Sequence, residues 1–293
     1  MNRRDFLRKG AAATATTLVG VSSISSLLGF SSCASSEPKE KIIGLQLYSL
    51  RDAFGRDVPG TLAKIAAMGY KSLETASYND GKLYGYAPTE FRKMVEDLGM
   101  KVTSAHLGKW YDPENQSQTN EWWNVALDAQ AAAGCKYTIM PSFPIGETLD
   151  DIKVYSDYFN SIADIAASKG IKFGFHNHAG EFAQRDGVVI QDYLIENAND
   201  NMIFQLDVYW AQHGGVNPAD YIIKYGDKIK LLHIKDESII GDSGTMDFEA
   251  IFIAAYSVGI EDYYVEVEQY SPLPPEGCVE KSYEFLEVAP YVK

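Results

Sequence analysis

The amino-acid sequence predicts an α/β protein built as a single (β/α)8 barrel over residues 42–293. Three observations predict it. Short apolar runs alternate with longer segments of helical periodicity throughout that span. A glycine follows most of the helical segments and precedes the next apolar run. Acidic, imidazole and amide side chains gather at the C-terminal ends of the runs, the face on which such barrels carry their chemistry. Strict alternation of strand and helix implies parallel strands joined by right-handed crossovers. An open doubly wound sheet is the runner-up, and it would usually carry a glycine-rich phosphate loop after its first strand. This chain has Tyr48-Ser49-Leu50-Arg51-Asp52 there.

Strands are expected at Ile42–Tyr48, Lys71–Thr75, Lys101–His106, Tyr137–Met140, Lys172–Asn177, Ile203–Asp207, Lys230–Ile234 and Tyr263–Glu268. Each is short and rich in β-branched or aromatic residues. Helical spacing is clearest over Pro59–Met68, Pro88–Leu98, Glu121–Ala133, Leu149–Ser168, Val188–Glu196, Pro218–Tyr225 and Phe248–Val258. Pro59, Pro88 and Pro218 suit a first helical turn. Gly69, Gly99, Gly134, Gly170, Gly226 and Gly259 stand where a left-handed C-cap is wanted. The stretch Tyr78–Pro88, with Gly81 and Gly85, reads as a long loop after the second strand that could cover a site.

The first 33 residues differ from the rest. A basic head, Arg3-Arg4-Asp5-Phe6-Leu7-Arg8-Lys9, precedes an uncharged, weakly apolar run, the order of an export signal. The head resembles a bacterial twin-arginine signal. Leu27-Leu28-Gly29-Phe30-Ser31-Ser32-Cys33 resembles a lipobox, so a lipid anchor at Cys33 is expected. Residues 34–41 read as a polar tether. The expected location is therefore the periplasm or a membrane surface reached through that anchor.

A net charge of −14, with 46% hydrophobic and 23% charged residues, fits a globular protein. The acidic balance argues against nucleic acid or an anionic membrane surface as a partner, because both demand a basic footprint. Cys135 and Cys278 lie too far apart in sequence for a metal knuckle or redox pair. Cys135 is expected to be a buried small hydrophobe.

The strand ends hold Gln46, Glu74, His106, His176, His178 with Glu181 close behind, Asp207, His233, Lys235, Glu266 and Glu268. Four of the chain's five histidines are among them. Each alone reads as a core or ion-paired residue. Together, Asp207, His233 and Glu268 converge if the barrel closes, and such an oxygen- and nitrogen-rich set suits a divalent ion. Glu266 shares a face with Glu268 one layer below; a structural and a functional role are left equally open for it.

The motifs Gly44-Leu45-Gln46-Leu47-Tyr48-Ser49-Leu50-Arg51, Phe175-His176-Asn177-His178-Ala179-Gly180-Glu181-Phe182, Gln205-Leu206-Asp207-Val208-Tyr209-Trp210, Leu232-His233-Ile234-Lys235-Asp236 and Val265-Glu266-Val267-Glu268-Gln269 resemble the sugar phosphate isomerase/epimerase family. These are the xylose isomerase-like TIM barrels of the AP endonuclease 2 superfamily. The resemblance implies one divalent ion (Mn, Zn, Co or Mg) held by Glu, Asp, His and Glu at the ends of strands five to eight. Asp207, His233 and Glu268 match the last three. His176 stands where many members have Glu, so the fourth ligand is His176 or Glu181. That departure removes one carboxylate of the acid/base pair, leaving His178 or Glu181 to work with Glu268. Gln46, Glu74, His106, Trp210 and Lys235 are then expected to hold the sugar.

The activity implied is isomerisation or epimerisation of a keto-sugar through an enediolate. No cluster of Arg and Lys at the strand ends would hold a phosphate, so an unphosphorylated sugar or sugar derivative is expected. A 3-keto-glycoside lyase or hydratase on the same metal site is the alternative, and a non-catalytic sugar-binding lipoprotein is a second one. A DNA endonuclease is disfavoured by charge and export. A nicotinamide oxidoreductase is disfavoured by the lack of a Gly-x-Gly-x-x-Gly fingerprint.

Overall fold

A computed structural model describes residues 40–293. The expected export signal, its Cys33 and all but the last two tether residues lie outside them. Eight strands close a barrel: β1 (Gly44–Gln46), β2 (Ser72–Thr75), β3 (Lys101–His106), β4 (Tyr137–Met140), β5 (Lys172–His176), β6 (Met202–Asp207), β7 (Ile229–Ile234) and β8 (Asp262–Val265). Every neighbouring pair is parallel, and β8 returns to β1 through Gly44 opposite Tyr264. The major crossover helices are α1 (Val58–Met68), α2 (Pro88–Glu96), α3 (Gln116–Ala133), α4 (Leu149–Ser168), α5 (Ile190–Glu196), α6 (Pro218–Tyr225) and α7 (Phe248–Ser257), with α8 (Pro275–Val288) after the last strand.

Local chemistry starts and stops these helices. Asp57, Thr148, Asn217 and Asp247 each accept a hydrogen bond from a first-turn N–H of α1, α4, α6 and α7. Thr148 and Asp151 form a reciprocal capping box on α4. Five of the six expected glycine caps have positive φ. Gly226 does not, with φ −63°. Its small size serves packing instead, because a Cβ there would lie 2.6 Å from Val258 Cβ.

The structure corrects several boundaries. β8 ends at Val265, so Glu266 and Glu268 lie beyond the strand rather than within it. β1 ends at Gln46, where a short 3-10 turn over Leu47–Leu50 begins. α3 starts at Gln116, a turn earlier than apolar spacing suggests, and α8 was not anticipated. Residues Val188–Val189 pair with Gln184–Arg185 in a small hairpin ahead of α5. The expected loop after β2 also holds a hairpin, Tyr78–Asn79 against Lys82–Leu83. Lys41, read as tether, is fixed to the barrel: its ammonium donates to the carbonyls of Leu286, Glu287 and Ala289 at the end of α8. Cys135 and Cys278 are both buried free thiols. Among the described residues no helix is long and apolar enough to cross a membrane.

Two apolar bodies support the site. The larger lies between the sheet and its helices. The smaller fills the barrel's interior and consists of Tyr137, Ile139, Ile203, Leu231 and Tyr264. Gly174 on β5 faces this interior, and a Cβ there would come within 2.9 Å of both Ile139 Cδ1 and Ile203 Cγ1. The outer body is anchored by Trp123, which is fully buried and donates to Tyr158 Oη at 2.7 Å. Trp123→Ala leaves a large void and removes the bond that Tyr158 Oη accepts, while that hydroxyl keeps its own bond to the Lys109 carbonyl. It is expected to lower stability by about 3–5 kcal/mol, read as a reduced denaturation midpoint with an unchanged denaturant slope.

Candidate metal centre

Parity along the strands decides which side chains meet. On β6, Gln205 and Asp207 share the inward face above Ile203, since alternate residues point the same way. Asp207 stands beside His233 on β7, and Gln205 beside His176 on β5. Glu266, just past β8, continues the inward face of Tyr264. His176, Asp207, His233 and Glu266 thus meet at the C-terminal face, each offering a ligand atom within 4.8 Å of the others. All four are buried.

The fit to a cation rests on unpaired atoms. His176 Nδ1 and Asp207 Oδ2 are buried without a hydrogen-bond partner, and His233 Nδ1 has only Glu266 Oε2 beside it, at 3.3 Å. Buried polar atoms left bare are costly. A divalent ion would satisfy all three, and two imidazoles with two carboxylates suit Zn²⁺, Mn²⁺ or Co²⁺. Asp207 Oδ1 is already used, accepting from Trp210 N at 2.8 Å, so Oδ2 is the atom left for a ligand. Asn177 braces this corner by bonding both the N–H and the carbonyl of Asp207.

A relay of directed hydrogen bonds lies behind the quartet. The N–H of Tyr48 donates to Gln46 Oε1. Gln46 Nε2 donates to His106 Nδ1 at 3.2 Å, and His106 Nε2 to Gln205 Oε1 at 2.6 Å. Gln205 Nε2 then donates to Glu74 Oε2 at 2.9 Å, which Ser104 Oγ also reaches at 2.7 Å. The other Glu74 oxygen accepts from His233 Nε2 at 2.5 Å. With Nε2 so engaged, Nδ1 of His233 is left as the ligand atom, the carboxylate–histidine–metal arrangement. A second trio, His106 with His176 and His233, is also close. Both ring nitrogens of His106 are occupied by amides, so the quartet is the better-prepared site.

Electrostatics follow the burial. Burial pushes the Asp207 carboxyl up to about 7, against the downward pull of the Lys235 ammonium. Burial also drives His176 well below its ordinary value. Burial opposes charge on His233 too, yet Glu266 and Glu74 on either side raise it to about 10. Glu266 is held well below the usual carboxylate range: burial acts upward, and His233 and Lys235 outweigh it. An incoming cation would therefore displace a proton from His233.

The rim holds the other residues expected from sequence. Lys235 Nζ donates to Glu266 Oε2 at 2.9 Å and also contacts Glu268. It lies 5.6 Å from the Trp210 ring centroid. Glu268 sits at the opening, its side chain 32% exposed and paired with Lys235, and Glu266 takes the place in the ligand quartet that sequence gave to Glu268. Glu181 is likewise outside the quartet: its carboxylate accepts from His178 N at 2.8 Å and closes a turn. The His178 ring packs between His176 and Trp210.

Three residues expected to touch substrate are placed deeper. Glu74 is fully buried beneath His233, Gln46 is 1% exposed and His106 8% exposed. Their polar atoms are spent on the relay. Gln205 is not singled out from sequence, and Glu266, left open there between a structural and a functional role, is placed in the ligand set; the signal for both was the two-residue periodicity through Tyr264-Val265-Glu266 and Gln205-Leu206-Asp207.

Glu74→Gln tests the relay. It sets a side-chain NH2 against the NH2 of Gln205 or the Nε2–H of His233, where both now find an acceptor. Metal affinity, measured by chelator competition, is expected to fall about 10–100-fold while the four ligands remain.

A family model described as the xylose isomerase-like TIM barrel matches residues 62–288. A crystal structure of a sugar phosphate isomerase/epimerase from Parabacteroides distasonis ATCC 8503 is 36% identical with a TM-score of 0.82, covering 86% of this chain and 100% of that one. The inosose dehydratase of Geobacillus kaustophilus (strain HTA426) is 25% identical over 210 residues, covering 61% of this chain and 65% of that protein. The match thus spans just under two thirds of that relative. The apo form of a 3-keto-D-glucoside 4-epimerase from E. coli is 21% identical with a TM-score of 0.65, covering 85% of this chain and 100% of that chain. This last likeness is one of fold.

Proposed function

Because the chain belongs to the xylose isomerase-like TIM barrel family, we propose that it is a divalent-metal-dependent isomerase or epimerase of an unphosphorylated keto-sugar or sugar derivative. The observation that carries this reading is the pair of bare, buried ligand atoms on His176 and Asp207, set beside His233 and Glu266 in one cluster. A divalent ion held there would polarise a sugar carbonyl and acidify the C–H beside it. Zn²⁺, Mn²⁺ and Co²⁺ suit the donor set better than Mg²⁺.

The chain's own residues supply the rest. Glu268, at the opening, is placed to take the proton, and Lys235 orients its carboxylate. Burial holds the His178 ring below its ordinary pKa, so a neutral imidazole packed beside His176 and Trp210 can offer its ring N–H to a sugar oxygen. The Trp210 ring offers an apolar face beside Lys235. The enediolate left on the sugar is reprotonated at its other carbon or other face.

Lyase or hydratase chemistry on the same site is the second reading. It is favoured by the dehydratase among the relatives and by His176, an imidazole where a second carboxylate would serve two-base epimerisation. In this reading His178 donates its proton to a departing oxygen. Incubation with keto-sugars in D2O separates the two. Deuterium entering next to the carbonyl of recovered sugar, with a new epimer or isomer, supports the first. Ultraviolet absorbance from an unsaturated ketone supports the second. Neither signal with any keto-sugar, on protein that holds metal, would leave the sugar-binding role alone.

The reading also places the protein outside the cytoplasm, exported through residues 1–33 and anchored at Cys33. The basic head, uncharged run and lipobox-like stretch support it.

A further inference from the structure

A cleft of about 410 Å³ opens between the outer ends of β1 and β2. Small-molecule sites occupy roughly 300–1,000 Å³. Its walls include Tyr48, Arg51, Phe54, Ser77 and Tyr84. Tyr48 lies two residues past Gln46, and Ala76, also in the lining, two past Glu74. The cleft therefore sits at the barrel mouth, next to strands whose inner side chains form the relay behind the metal centre. The N–H of Tyr48 ties the two directly by donating to Gln46 Oε1.

Three features set this cleft apart from an ordinary surface dent. Tyr48 is 42% exposed, yet its ring is held in place. The Arg51 guanidinium stands 4.5 Å over it, stacks on Tyr270 at 5.3 Å and donates to Tyr270 Oη at 2.6 Å. On the far wall Tyr84 adopts a backbone φ of 50°, which costs free energy for a non-glycine residue. Its ring is packed between Phe54, tilted against it at 4.7 Å, and Phe91, stacked at 5.3 Å. Tyr84 Oη accepts from Ala76 N at 2.9 Å, so its own proton is left to donate. The lining holds no carboxylate, and its single cation is already committed to Tyr270 and the Tyr48 carbonyl. A rigid aromatic platform with a few neutral polar groups suits an uncharged, hydroxyl-rich ring.

The geometry points to a second sugar-ring subsite, with Tyr48 as its platform, so that the compound presented to the metal centre is a disaccharide or comparable glycoside rather than a monosaccharide. This rests on the metal centre being the reactive site.

Calorimetric titration of the zinc-loaded full chain tests it, with methyl β-D-glucopyranoside compared against maltose, cellobiose, trehalose and sucrose. At least one disaccharide is expected to bind about tenfold more tightly than the methyl glycoside, a stacking-sized preference. Tyr48→Ala should bring the ratio close to one, and Tyr48→Trp should keep it, with metal content confirming that both variants fold. Equal affinity for all five sugars, no binding of any, or a preference that survives Tyr48→Ala overturns the subsite. A Tyr48-dependent preference in a protein that takes up no metal would instead overturn the reactive-site reading and leave the subsite standing.

Discussion

Asp207→Asn is expected to empty the metal centre while leaving the barrel folded. Elemental analysis should fall from about one divalent ion per chain to near background, a loss in affinity beyond the roughly 100-fold that outer partners cost. The substitution separates two roles held by one side chain. Asp207 Oδ1 accepts from Trp210 N and starts the short helix Val208–His213. An amide oxygen does this as well as a carboxylate. Oδ2 is bare, and in the variant it becomes an NH2 that cannot ligate and points its protons at the neighbouring donors. Turnover should fall in step with metal content. Metal retained at wild-type stoichiometry would remove Asp207 from the ligand set.

Lys235→Met is expected to do the reverse, keeping the metal and losing the chemistry. Lys235 is nearly buried and its ammonium pairs with both Glu266 and Glu268. Methionine fills a similar volume without the charge. With Glu266 engaged by the cation, the main consequence is a free Glu268 carboxylate at the opening, no longer aimed at the substrate. A drop in kcat of about 10²–10⁴ is expected, the range ascribed to a positioned proton-transfer group. Stability supplies an independent readout. In the metal-free variant Glu266 loses one of its two cationic neighbours and is left to His233 alone, a loss bounded by the roughly 3–5 kcal/mol that breaking a buried pair costs. Added metal should therefore raise the melting temperature of Lys235→Met by more than that of the unsubstituted chain. Equal increments would mean that Lys235 does not neutralise Glu266 in the metal-free protein.

The barrel was legible because its signals are local and repeated: apolar runs of strand length, helical spacing, caps and glycines, each reinforcing the next. His176, Asp207 and His233 were legible for the same reason, since each stands at or next to the last residue of a strand. Glu266 and Glu268 were harder to tell apart. They share a parity, and only the point at which β8 stops determines which one sits level with His233. That point depends on pairing with β7 and β1, a tertiary property. Glu74, Gln46 and His106 were assigned to substrate because strand ends look alike from sequence. Their depth follows from the stagger of strands around the closed barrel, which tilts one side's ends below the other's. Gln205 belongs to the same difficulty, an amide whose importance comes only from lying between two partners 99 and 131 residues away.

The small apolar body inside the barrel has a consequence for isotope bookkeeping. Tyr264, Leu231 and Ile139 are inaccessible to solvent and plug the channel under the polar layer. The reactive layer is thus a vessel with one opening. A hydron abstracted from the sugar can leave only past the rim, where Glu268 and the bound substrate themselves stand. While the substrate stays seated, that hydron has no second exit and no water arriving from below to dilute it. Transfer within a single turnover should then return part of the original label to the product, and the retained fraction should rise as larger substrates cover the opening more completely.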